Sequence, residues 1–219
     1  MKTLKIIIAK LLLSISLSAI TFNSFSQETD YDFSDDKTGT TIYYNVTVDE
    51  FPLDVAITFG SYDFNSYSGV VTIPEKVIKD GWSYAVTSVW ENAFAHSDKL
   101  AEVQLPENIK YIEDAAFMGC ENLKTITPFN NIEEIGMIAF MNCSSLESIS
   151  FGDKLTLIGD NAFDNCKSLK SISIKSVIPP TLIGSLGKTA PTIYVPKESV
   201  NSYKNSVGWN KLNILEITE

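Results

Sequence analysis

The sequence has 219 residues, 44% of them hydrophobic, with 27 acidic and 17 basic side chains and a net charge of -10. Every basic residue is a lysine, and the one histidine is His96. This balance suits a globular chain, and it speaks against nucleic acid or an anionic membrane surface, both of which need a basic footprint. The lack of arginine also removes the usual bidentate clamp for phosphate.

Residues 1–26 read as a cleaved signal peptide. Lys2, Lys5 and Lys10 form a positive head, and Leu11 to Ile20 is a short apolar run broken by serines. Ser24-Phe25-Ser26 then sets small residues at the two positions a signal peptidase reads, which places the cut before Gln27. The run is too short to span a bilayer comfortably, and no cysteine follows it to carry a lipid. The alternative for this segment is an uncleaved membrane anchor. Export to a periplasm, the medium or the cell surface is the expected destination, without membrane insertion after cleavage.

Residues 27–37 are acidic and read as a loose linker. Asp30, Asp32, Asp35 and Asp36 offer oxygen ligands to calcium, but the spacing lacks the mid-loop glycine and terminal glutamate of an EF-hand loop, so no metal is expected. Residues 38–85 are expected to form a β-rich N-terminal cap. Thr41–Thr47 and Leu53–Phe59 read as strands, and Asp80-Gly81 signals a tight hairpin turn. Val71-Thr-Ile73-Pro74-Glu75 echoes Val103-Gln-Leu105-Pro106-Glu107, so a partial repeat closes the cap.

Residues 86–178 hold four repeats of 23 residues. Ala-Phe recurs at Ala93, Ala116, Ala139 and Ala162. Four residues earlier stand Val89, Ile112, Ile135 and Ile158; four later stand Ser97, Cys120, Cys143 and Cys166. Leu100, Leu123, Leu146 and Leu169 follow, then Val103, Ile126, Ile149 and Ile172. Leu105, Pro128, Phe151 and Ile174 come next, and Ile109, Ile132, Leu155 and Ile178 close the pattern. One such unit cannot bury its apolar side alone, whereas stacked units share a continuous core. Leu123 to Pro128 and its equivalents alternate as strands, and the Ala-Phe segment is expected to turn the coil as a short helical turn behind the cap-like Asp114 and Asp160.

These repeats resemble the BspA-like bacterial leucine-rich repeats. Ile135-Gly136-Met137-Ile138-Ala139-Phe140-Met141-Asn142-Cys143 and Ile158-Gly159-Asp160-Asn161-Ala162-Phe163-Asp164-Asn165-Cys166 carry the likeness best. Trp90 and Glu113 depart from it at the glycine, Ser97 at the cysteine, and Pro128 at a core strand position. The resemblance implies a right-handed leucine-rich-repeat solenoid with a parallel strand in each repeat. It also implies a surface or secreted protein of adhesin type, whose ligand is a protein such as a host matrix component or another cell's surface. Residues 179–219 supply a short C-terminal cap: Ile193-Tyr-Val195 as a last strand, Lys197 to Tyr203 as a short helix, and Trp209 as a plug.

Catalytic and cofactor chemistry finds little support. Cysteines 23 residues apart match no zinc pattern and read as a buried column. His96 sits one residue before that column and has no evident orienting partner, so neither Cys-His nor Ser-His-Asp catalysis is expected. Gly184-Ser-Leu-Gly187-Lys188-Thr189 resembles a phosphate loop, but Leu182 stands where the motif needs glycine. The expected protein is therefore not an enzyme and needs no cofactor.

The candidate binding site is the outward side of the strands: Glu102 and Gln104, Thr125 and Thr127, Ser148 and Ser150, Ser171 and Ser173. Stacking would make of them a flat polar platform flanked by Lys124, Glu147 and Lys170. Trp82 and Trp90 are candidate aromatic anchors near its N-terminal end. Protein recognition is the leading expectation. Glycan binding by the same face with the tryptophans, or a periplasmic scaffolding role, are the alternatives. Export has a direct check: mass spectrometry of native material should find a chain starting near Gln27, and an intact Met1 on cytoplasmic protein would contradict it.

Overall fold

Alternating apolar residues make the strands of this chain, and the 23-residue period stacks them. The computed structural model describes residues 32–35, 40–48, 54–58, 67–79 and 81–218; the expected signal peptide and most of the expected acidic linker lie outside the described residues. The N-terminal strands are β1 (Asp32–Asp35), β2 (Thr40–Val48), β3 (Asp54–Thr58), β4 (Ser68–Thr72), β5 (Lys76–Lys79) and β6 (Trp82–Val89). The repeats then alternate longer and two-residue strands: β7 (Lys99–Gln104), β8 (Tyr111–Ile112), β9 (Thr125–Thr127), β10 (Glu134–Ile135), β11 (Ser148–Phe151), β12 (Leu157–Ile158) and β13 (Ser171–Ile174). The end holds β14 (Thr181–Leu182), β15 (Thr192–Val195), the helix α1 (Val200–Asn205) and β16 (Asn213–Glu216).

Each coil thus has two strands rather than the single one expected, and three sides. The longer strands pair in parallel as β4-β7-β9 and as β11-β13-β15-β16. The short strands form a second side, β3-β6-β8-β10-β12-β14, onto which β1, β2 and β5 are added. The flanking segments continue the stack, so the solenoid has about six turns around its four regular repeats. Asp32–Asp35, read from sequence as linker, pairs antiparallel with Thr40–Tyr43. An outer strand needs only backbone partners, and charged residues suit an edge. Lys79 pairs with Trp82 across a two-residue connection in which Gly81 takes φ +81°.

The third side is the Ala-Phe segment, and it is not a helical turn. Two residues in each coil adopt left-handed backbone at the 23-residue spacing: Asn92, Ala115, Ile138 and Asn161, then His96, Gly119, Asn142 and Asn165. That conformation breaks any helix and suits glycine and asparagine best. The N–H groups then alternate in direction. Met118, Cys120, Met141 and Cys143 bond three residues back, while Phe94, Phe117 and Phe140 donate to the carbonyls of Ala116, Ala139 and Ala162 in the next coil, each at 2.8 Å. Asp114 and Asp160 do not cap their own turns. Their carboxylates accept the backbone N–H of Met137 (2.6 Å) and Ser185 (2.9 Å) in the following coil.

Inside, the phenylalanines stack. Ring centroids of Phe94, Phe117, Phe140 and Phe163 are separated by 4.9, 5.3 and 5.3 Å with planes within 5° of parallel. Tyr67 covers the first ring at 4.6 Å, and its hydroxyl donates to the Thr58 carbonyl. At the other end Tyr203 and Trp209 are buried, donating to the carbonyls of Ser176 (2.9 Å) and Pro180 (2.7 Å). Both ends are closed by large rings whose polar tips have partners.

Two expected core positions fail. Pro128 is half-buried, and Phe129 takes the interior place, packed on Phe151 at 5.2 Å and edge-on to Phe140. Ile178 is 79% exposed. The coil after the fourth repeat abandons the period there: Leu157 pairs with Thr181, one residue beyond 23, while Ser171 pairs with Thr192, two short of it. Phe140, fully buried with stacked rings on both sides, gives the sharpest test of the packing. Phe140→Ala should cost about 3–5 kcal/mol, as large-to-small core changes do. Urea denaturation measures it, and an unchanged midpoint would contradict the stack.

Candidate functional site

Alternation along a strand sends every second side chain outward, and β7, β9, β11 and β13 obey it. Gln104, Thr125, Thr127, Ser148 and Ser150 are exposed; Glu102, Ser171 and Ser173 are half-buried. All eight expected face residues therefore lie outside the core. They do not form one ladder. β9 ends at Thr127, since Pro128 has no N–H to continue it, and β9 and β11 fall in separate sheets. In the N-terminal part the polar groups bond one another: Thr72 Oγ1 donates to Gln104 Oε1 at 3.1 Å, and Gln104 Nε2 to Glu102 Oε1 at 2.9 Å.

The C-terminal part is longer than the repeat pattern indicates. Ser148 pairs with Ser171, Ser171 with Thr192, and Thr192 with Asn213. The parallel column runs Ser150, Ser173, Tyr194, Leu215. Sequence reasoning missed Thr192, Tyr194, Asn213 and Leu215 because the 23-residue period no longer marks them. The signal was present in the alternation of Ile193-Tyr194-Val195, which puts Tyr194 on the same side as Ser173 once the strands are paired. Tyr194 is half-buried and Leu215 is 43% exposed, so an aromatic ring and an aliphatic chain end a row of hydroxyls. Lys170 reaches Glu147 at 3.0 Å beside this face; both are exposed, and such a pair adds little stability.

The tryptophans sit elsewhere. Trp82 opens β6 and Trp90 follows it, so both belong to the short-strand side and not to the platform. Trp82 is 42% exposed at the β5–β6 hairpin, and Trp90 is half-buried with its backbone N–H donating to the Ile57 carbonyl.

Residues 82–185 match the family described as BspA type leucine rich repeat region, in six copies. The repeat region belongs to the BspA-type leucine-rich repeat family. A T. pallidum leucine-rich repeat protein is similar over 80% of each chain, with 26% identity and a TM-score of 0.61. A leucine-rich repeat protein from Bacteroides capillosus shares 23% identity at a TM-score of 0.52, covering 61% of this chain and 94% of its own. The pneumococcal vaccine antigen PcpA shares 21% identity at 0.53, and the match spans 78% of this chain and 51% of PcpA. No curated protein matches the sequence. Members of this leucine-rich repeat family generally bind proteins and are generally not enzymes.

The other candidate motifs of the chain are accounted for by packing. Cys120, Cys143 and Cys166 are free and buried. Each thiol donates to a phenylalanine carbonyl of the preceding coil: Cys120 to Phe94 at 3.0 Å, Cys143 to Phe117 at 3.2 Å, Cys166 to Phe140 at 3.0 Å. The His96 ring packs over Gly119, where an added Cβ would lie 2.7 Å from its Nδ1. In the phosphate-loop look-alike the amides are taken: Ser185 N–H binds Asp160, and Lys188 N–H binds the Asp164 carboxylate at 2.7 Å. Of the acidic residues considered for calcium, Asp30 and Asp36 lie outside the described residues, and Asp32 and Asp35 bound β1.

Burial pushes the thiols of Cys120 and Cys166 up to about 12 from an ordinary value of 9.0, and that of Cys143 also well upward. Raised values mean the folded state holds these protons more tightly than the unfolded one. The associated stability is complete below about pH 9 and is lost as pH rises toward 12. At pH 8 all three cysteines should therefore ignore Ellman's reagent in the native protein and react in guanidinium. Reaction of any of them at native conditions would place it outside the core.

Proposed function

We propose that this protein is exported and binds a partner protein across its long-strand face, without catalysing a reaction. One observation carries the reading: the outward columns of β11, β13, β15 and β16 form a surface of short hydroxyl and amide side chains that ends on Tyr194 and Leu215. Short outward side chains leave a flat surface that lies close to any backbone laid across it. Hydroxyls adapt their hydrogen bonds to a partner at low entropic cost, while an aromatic ring supplies area. The scaffold adds rigidity, because the central strands β13 and β15 are fixed by neighbours on both sides, and rigid sites lose little entropy on binding.

Export is supported by the lysine head, the short apolar run and the small residues before Gln27. Among the described residues no helix is long and apolar enough to cross a membrane. A protein of this family working outside the cytoplasm fits adhesin-like recognition at or near a cell surface, with a matrix protein or another cell's surface as the class of partner.

Replacing Ser148 and Ser150 together by lysine tests the face. Both side chains are exposed, so stability should stay within about 0.5 kcal/mol of the parent. Two long cations in the middle of the platform should abolish retention of whichever matrix protein the parent captures from a panel. Loss of folding would reverse the inside-outside assignment, and intact folding with intact capture would move the site off this face.

A further inference from the structure

The short-strand side carries a groove of different chemistry. It runs along the stack with the bare backbone of Gly136 and Gly159 in its lining. Those glycines stand where the first two coils have Trp90 and Glu113, and Glu113 itself lines the groove. An added Cβ at Gly136 would lie 2.5 Å from the backbone of Glu113 and Asp114, so the close approach of coils keeps this position bare.

The two ends of the groove differ. Toward the N-terminal coils stand the carboxylates Glu91, Glu113 and Asp114, and a fourth, Glu134, lies mid-groove in the same coil as Met137. Among the described residues no lysine lines the groove, and the neighbouring Lys110 is drawn to Glu133 at 3.6 Å. The charge there is crowded, since burial first, and then the fields of Asp114 and Glu91, hold the Glu113 carboxyl above its usual range. Toward the C-terminal coils the lining is apolar, with Met137 49% and Ile183 45% exposed and Leu157 half-buried. Tyr111, 37% exposed, lies among the acids and offers a ring face to a cation.

We propose that this groove docks an extended segment of a partner protein in which a cluster of lysine or arginine side chains is followed by aliphatic ones. The basic part would neutralise a set of carboxylates that lacks counter-charge within the groove. The aliphatic part would cover Met137, Leu157 and Ile183. The polarity of the lining fixes which way the segment lies, and opposite charge speeds encounter and selects against acidic partners. This site is separate from the long-strand face and does not depend on it.

The probe is a fluorescein-labelled ten-residue peptide with three lysines at one end and three leucines at the other. Two controls of equal length replace the lysines by glutamate or the leucines by serine. Anisotropy with the full chain should show binding of the lysine-leucine peptide, weakened by salt, and markedly poorer binding of both controls. Glu113→Gln with Glu134→Gln should weaken it roughly tenfold, as expected for two partly exposed ion pairs. Tyr111→Ser should weaken it independently, should the double variant fold poorly. Lysines at Ser148 and Ser150 should leave this binding unchanged, whatever they do to matrix capture. Equal binding of all three peptides, no binding of any, or binding untouched by both groove variants overturns the proposal.

Discussion

Coil-to-coil backbone hydrogen bonding is the constraint from which the rest of this structure follows. Buried peptide groups must find partners, and in a solenoid most of those partners belong to the next coil. All three sides comply, in different directions. On the short-strand side the later coil donates: Gly136 N–H to Ile112, Gly159 N–H to Ile135. On the Ala-Phe side the earlier coil donates, through Phe94, Phe117 and Phe140. Where a backbone carbonyl is out of reach, a side chain substitutes, as the Asp114 carboxylate does for the amide of Met137; the cysteine thiols add a second donor to phenylalanine carbonyls that already accept a backbone N–H. In the regular repeats a constant coil length keeps all of these bonds in register, and the last coils keep parallel pairing although the offset changes.

The same constraint decides what was legible beforehand. The period and its apolar columns are a sequence-level signal, so the core at Phe94, Phe117, Phe140 and Phe163 could be read directly. The left-handed residues could not. Asn142, Asn165 and Gly119 suit that backbone, but Ala115, Ile138 and His96 adopt it as well, because bonds to the adjacent coil hold the segment whatever side chain it carries. An isoleucine at φ 49° runs against local preference, and only the surrounding coils account for it. Pro128 misled for a related reason. Its residue count is right for a core position, but the interior place goes to the side chain that fills it, which is Phe129.

The binding surface was legible only as far as the period lasted. Ser148, Ser150, Ser171 and Ser173 could be placed outward by counting. Tyr194 and Leu215 join them through strand pairing at offsets other than 23, which no repeat alignment reveals. The tryptophans show the converse. Trp82 and Trp90 stand near the first repeat in the sequence, yet the turn from β6 into the Ala-Phe segment puts them on a different side from the hydroxyl columns.

Stacking also separates what the chain may vary from what it may not. Interior columns answer to packing and are nearly uniform: alanine, phenylalanine, cysteine and leucine recur at buried positions, and the phenylalanines stack ring on ring from coil to coil. The outward columns answer to nothing in the fold, so their composition carries information that the fold does not require. On one side they hold small hydroxyls ending in Tyr194 and Leu215; on another, carboxylates passing into Met137, Leu157 and Ile183. The hydroxyl arrangement adds nothing that stacking requires; in the acidic one Asp114 bonds the next coil through the amide of Met137, but Asp114 and Glu91 both repel Glu113. A stack that keeps mutually repelling carboxylates beside exposed apolar side chains gives up stability at that side, and occupation by a cationic, apolar segment would return it.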